Sequence, residues 1–176
     1  MWFIDTDNVV KVVGLRNAET GEYVNDATVT GILYKLPTLH PDTGAAVVDL
    51  PPGYVGIYCT GHGMTIGTSI RLERTHNYNG DFILQSGTSL NMLVIAVAYV
   101  HEVFTGNEFI YEAIVGTATV PIAFDYISGS DGDYVGKVPR DSPLLQDESY
   151  VMCVREVSEL EQVLAKIIYS AGFVGI

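Results

Sequence analysis

Apolar positions along this chain recur with a dominant period of two. VVKVVGL (9–15), TVTGILYK (28–35), SIRLER (69–74), MLVIAVAYV (92–100), TVPIAFDY (119–126) and YVMCVREV (150–157) are rich in β-branched and aromatic residues. Each is bounded by Gly, Asn, Asp or Pro and reads as a strand. Turn chemistry lies between them, in ETG (19–21), DTG (42–44), NYNG (77–80) and SGSDGDY (128–134). Asn-Gly and Asp-Gly supply the positive φ of tight hairpin turns, which predicts such a φ at Gly80 between SIRLER and DFIL. Strands and turns at this spacing predict an all-β sandwich or barrel.

Two features interrupt the simple pattern. A Tyr-x-Gly tripeptide recurs at Tyr54-Val55-Gly56, Tyr78-Asn79-Gly80 and Tyr134-Val135-Gly136. It reads as recurrent strand-edge geometry, with a tyrosine hydroxyl available to the backbone and a glycine permitting a bulge or close strand approach. Near the C-terminus two readings stand side by side. Ser158 and Glu161 form an S-x-x-E capping box before Leu160, Val163, Leu164, Ile167 and Ile168 at helical spacing, with Gly172 as a stop. The same residues, from Gln162 to Ser170, also read as a final strand paired with YVMCVREV.

Composition narrows the class. Apolar residues make up 48% of the 176-residue chain and charged residues 17%, enough to bury a core and too few charges for disorder. The longest apolar run, MLVIAVAYV (92–100), is about half of a membrane span. MWFIDTD has no basic n-region, so no signal peptide is expected and the chain is expected to be soluble and made in the cytoplasm. A net charge of −12 with nine scattered basic residues argues against phosphate-directed nucleic-acid binding and could complement a basic partner. Cys59 and Cys153 form no CxxC pair and are read as reduced thiols.

GHGMTIGTSIRLE (61–73), NYNGDFIL (77–84) and VAYVHEVFTGNEF (97–109) follow one another in a pattern that resembles a small β-barrel module of bacteriophage structural proteins. Thr68 and Leu84 depart from it, standing where the module commonly has Asp and Val. The flanking segments GLRNAETGEYVNDATVTGILY (14–34) and YISGSDGDYVGKVPRDSPLLQDESYVMCV (126–154) resemble the opening and closing strands of a phage-associated immunoglobulin-like sandwich. The resemblance implies a discontinuous sandwich at 1–50 and 118–176, with the small β-barrel inserted at 51–117. It also implies a place in the virion and contacts with other capsid, neck or tail subunits in many copies; from the charge balance and the short apolar runs, no nucleic-acid or membrane partner is expected.

Candidate chemistry is sparse. His62 lies between two glycines and His76 precedes NYNG; Cys59, Glu73 and His101 are their nearest possible co-ligands, at a spacing that matches no recognised zinc set. Both histidines read as turn residues, with a ring nitrogen bonded to backbone. Asp131 and Asp133 suggest a calcium loop, yet position 135 is Val and no terminal Glu follows. Asp147-Glu148 reads as solvated surface. No nucleophile elbow and no phosphate-binding glycine loop occurs. No catalytic, cofactor-binding or metal residue is therefore assigned, and no cofactor is expected.

LPTLHP (36–41) and PRDSPLL (139–145) carry apolar residues that belong either under their own domain or against a partner. MWFI at the N-terminus is expected to be covered by a neighbouring subunit. The expectation is thus an all-β virion structural protein acting by protein–protein contacts. A carbohydrate- or host-surface-binding β-module is the alternative, and a hydrolase lacks any motif.

Overall fold

The computed structural model describes residues 2–3, 7–17, 20–36, 38–117, 119–156 and 163–172. Among these residues every regular element is a strand. In chain order they are β1 (Trp2–Phe3), β2 (Asn8–Val12), β3 (Val29–Leu36), β4 (Val48–Leu50), β5 (Tyr54–Tyr58), β6 (Ser69–Glu73) and β7 (Gly80–Ile83). They continue as β8 (Met92–Ala96), β9 (Phe109–Val115), β10 (Ile122–Tyr126), β11 (Tyr134–Val138), β12 (Ser149–Glu156) and β13 (Val163–Gly172). The chain divides into two compact units, one of Met1–Tyr34 with Ile114–Ile176 and one of Lys35–Ala113. The chain passes between them within β3 and again within β9. The sequence reading drew these junctions at 50/51 and 117/118; residues 35–50 fall in the second unit, where Val47 enters the core and β4 joins a sheet.

In the first unit the strand order is β1-β13-β12-β3-β10-β11-β2. β3 and β12 lie in its middle, and their near-continuous apolar runs are buried on both faces rather than alternately. Val29, Leu33, Phe124, Tyr134, Tyr150 and Met152 meet in one core. Val29, Leu33, Tyr134, Tyr150 and Met152 are at most 1% exposed, and full cover of each such side chain is worth roughly 1.5–3 kcal/mol. The SGSDGDY turn packs so closely on the β2–β3 connection that a Cβ on Gly132 would lie 2.4 Å from the Leu15 carbonyl oxygen. Only glycine fits there, at a φ of 72°.

The C-terminal conflict resolves as strand. β13 pairs antiparallel with β12 from Ser149↔Ser170 to Arg155↔Val163, with an irregularity at Val154/Arg155. Val163, Ile167, Ile168 and Tyr169 suit a pleated surface, and β12 offers a long backbone ladder that a helix would forgo. Ser158 and Glu161 lie outside the described residues. At the other end of the chain, Trp2 and Phe3 pair in parallel with Ala171 and Gly172, so their backbone extends the first unit's own sheet.

The second unit contains two antiparallel groups, β4-β5-β8 and β7-β6-β9. Both contribute to one core, which includes Val55, Ile57, Ile70, Leu72, Leu93 and Ile95. Gly80 has a positive φ, 144°, as expected, but it is the first residue of β7, paired with Leu72; the strands are joined by the loop 74–79, where Arg74 takes a φ of 61°, and not by a tight Asn-Gly turn. β8 is shorter than the run MLVIAVAYV, ending at Ala96. Beyond it, Val100 finds a side chain instead of a strand: its N–H donates to the Tyr78 hydroxyl at 2.7 Å, and that hydroxyl donates to the Val100 carbonyl.

Candidate interaction surface

The residues weighed for chemistry serve the scaffold. Gly61 and Gly63 both have a φ of 71°, and the tight path they permit turns the buried His62 ring inward. Its Nδ1 accepts from the Met64 amide at 3.0 Å and its Nε2 donates to the Ser89 carbonyl at 2.6 Å. Both ring nitrogens are thus committed to backbone, leaving no lone pair aimed at a metal. His76 is exposed; its amide donates at 2.6 Å to Glu102, which also accepts from the Asn77 amide at 2.9 Å. The Asn79 side chain closes the same turn, accepting from the Thr75 amide at 3.0 Å and donating to the Thr75 carbonyl at 2.7 Å. The GHGM and NYNG segments hold turns.

The other candidates are similarly occupied. Cys59 is buried and its Sγ donates to the His40 carbonyl at 3.3 Å. Burial, reinforced by the negative charge of Asp42, pushes its thiol up to about 11, which keeps it protonated and a poor nucleophile. Glu73 pairs with Arg71 at 2.6 Å, and Arg71 also reaches Asp81 on the neighbouring strand at 3.2 Å. His101 lies at the surface, with Nδ1 3.3 Å from the Tyr99 hydroxyl. Asp133 binds Lys11 at 2.6 Å and accepts the Gly14 amide at 3.0 Å, while Asp131 is exposed at the tip of its turn. Asp147 is an exposed turn residue with φ at 63°. Among the described residues, no three His, Cys, Asp or Glu side chains are placed to share a metal ion.

Two acids with structural roles escaped the sequence reading. Glu102 is buried and caps a turn 25 residues away, so nothing local announces it. Glu108 did carry a signal, since Thr105-x-x-Glu108 has the spacing of a capping box without a helix behind it. Its carboxylate accepts the Thr105 amide and hydroxyl and the Gly106 amide, at 2.8–3.1 Å. Burial works to raise Glu108, but these donors outweigh it and hold the carboxyl below its ordinary value.

One sheet of the second unit turns apolar side chains to solvent. Antiparallel partners share a face, and opposite the core-directed Val55 and Ile57 the β4-β5-β8 sheet carries Val48, Leu50, Tyr54, Tyr58, Met92 and Ala96, with Val94 buried on the same face against the turn at Gly87. Tyr54 is 36% exposed and Tyr58 41%. Between them Gly56 leaves room for Met92, whose sulfur would lie 2.7 Å from a Cβ added there. Glycine here makes a level platform: tyrosine, methionine, tyrosine. A separate depression of about 470 Å³ beside the GHGM turn is lined by Met64, Ile66 and Leu90 among others, with Ile66 61% and Leu90 69% exposed. The Pro-containing segments divide. Leu144 enters the first unit's core while Leu145 stays 55% exposed, and Leu39 is tied to Ile110 by a backbone bridge. No family model, no curated protein and no solved structure matches this chain.

Proposed function

We propose that this protein is a structural component of a bacteriophage particle, in the head decoration, neck or tail, acting through protein–protein contacts. In this reading the first unit is an immunoglobulin-like sandwich and the second an inserted small β-barrel. The observation that carries it is the use made of the residues behind the phage resemblance. His62, Tyr78 and Asn79 spend their polar atoms on the protein's own backbone, while an uncharged apolar sheet face of the same unit turns Tyr54 and Tyr58 to solvent. That division of labour suits a subunit that contributes a rigid shape and a contact surface.

Tyr54 and Tyr58 also invite a carbohydrate-binding reading, since aromatic rings on a flat sheet stack on sugars. The rest of that face is Val48, Leu50, Met92 and Ala96, which offer no hydrogen bonds to sugar hydroxyls. Sugar recognition combines apolar contact with placed polar groups, so the protein-contact reading is preferred. Mass spectrometry and antibody labelling of purified particles test it. The chain should be present at a fixed copy number and at one position; its absence from particles would overturn the proposal.

A further inference from the structure

We propose that the outer face of β4, β5 and β8 docks a different protein of opposite charge, one presenting an apolar patch bordered by Lys or Arg. The inference rests on the particle reading and names the partner chemistry of that surface.

Three observations lead to it. The face is built like the centre of an interface, where tyrosine and methionine are enriched and charges depleted. Tyr54 and Tyr58 stand at its two ends, with Met92 lying over Gly56 between them. Large, stiff tyrosine rings with few rotors are frequent hot spots. The charge around the face has one sign. Residues 41–60 include Asp42 and Asp49 and no Lys, Arg or His, and residues 85–100 carry no charge at all.

Asp42 borders the platform. The Asp42 amide donates to the Tyr58 carbonyl at 2.8 Å, fixing Asp42 at that end of β5. The Thr60 amide and hydroxyl hold its carboxylate at 2.9 and 2.7 Å and lower its pKa, so it stays ionised. Asp49 pairs with the core-directed Val55 and so lies on the other face of β4, which leaves the platform face itself without charge. A second copy of the chain is a poor occupant. It would bring a rim that carries Asp42 and no base toward another like it, on two chains that each carry a net charge of −12. A basic-rimmed partner gains both the apolar contact and the charge pairing.

Photo-crosslinking in assembled particles tests this. A benzophenone amino acid replaces Tyr58. From Tyr58 the expected product is a single crosslink to a different protein, at an apolar site flanked by Lys or Arg. Tyr58→Glu should lower copies per particle by about tenfold or more, equivalent to ~1.4 kcal/mol, with the melting curve unchanged. Crosslinking to a second copy, crosslinking to an acidic surface, or no crosslink from a chain present in particles would overturn the inference while leaving the particle reading in place. Absence of the chain from particles would overturn both.

Discussion

Tyr78 in the second unit and Tyr134 in the first do the same work. Each buries its ring in the core of its own unit, and each uses its hydroxyl as a clamp that accepts from one backbone amide and donates to one backbone carbonyl. Tyr78 clamps Val100 alone; Tyr134 clamps the Ala27 amide and the Val24 carbonyl, both at 3.0 Å. Tyr54 opens the same tripeptide and does the opposite, turning its ring to solvent. The difference lies in the phase of the strand. In β11, Tyr134 and Gly136 point to the core, and Gly136 clears space for the Phe124 ring. In β5 it is Val55 that points inward, so Tyr54 and Gly56 land outside. A tripeptide therefore fixes which positions share a face, while the strands around it decide which face is buried.

Truncation breaks the comparison most strongly. Tyr134→Ala should cost about 3–5 kcal/mol in equilibrium denaturant unfolding, as large buried side chains do, whereas Tyr54→Ala should stay within about 0.5 kcal/mol. Equal losses would show that Tyr54 is core. Next come the glycines. Gly136→Ala would put its Cβ 2.7 Å from a buried ring, and Gly56→Ala would put its own 2.7 Å from the end of a flexible methionine. Overpacking against the ring should cost about 1–3 kcal/mol, while movement of Met92 should keep the second change below about 1. If Gly56→Ala proves the costlier, the methionine is more tightly held than its position suggests.

Removing only the hydroxyl sharpens the contrast at lower cost. Tyr78→Phe and Tyr134→Phe should each lose about 1 kcal/mol, and Tyr54→Phe nothing measurable. The smallest effect is in acid. A carboxyl whose folded pKa is depressed contributes stability that is complete above its unfolded pKa and is lost as pH falls through the folded value. Glu108 is such a group, with an ordinary value of 4.5. Wild type should therefore lose stability below that pH more steeply than Glu108→Gln. Parallel pH profiles for the two would mean that the Thr105 and Gly106 donors do not hold a charged carboxylate.

Long, glycine-free apolar runs made much of the fold legible. YVMCVREV became a central strand within one residue of its expected ends, and MLVIAVAYV supplied β8. Short strands interrupted by glycine were less visible: YVGIY (54–58) and YVGKV (134–138) looked like edge motifs and proved to be β5 and β11. Beyond β8 the backbone of Val100 is bonded by Tyr78, a side chain 22 residues away that no local pattern announces. The candidate surface was hidden for a related reason. Val48, Tyr54, Tyr58 and Met92 come from three strands whose register brings them together, and no window of sequence contains them all. The turn role of His62, by contrast, followed from its two flanking glycines alone.

The central claim is that tyrosines facing the cores build the scaffold while Tyr54 and Tyr58 make contacts outside it. Its most direct test is the double variant Tyr54→Ala/Tyr58→Ala, followed in two assays on the same protein: unfolding of the purified chain, and copies per purified particle by quantitative mass spectrometry. The account predicts a wild-type unfolding midpoint and a loss of incorporation of about tenfold or more, from removal of two contact residues. Full incorporation at wild-type stability would contradict it.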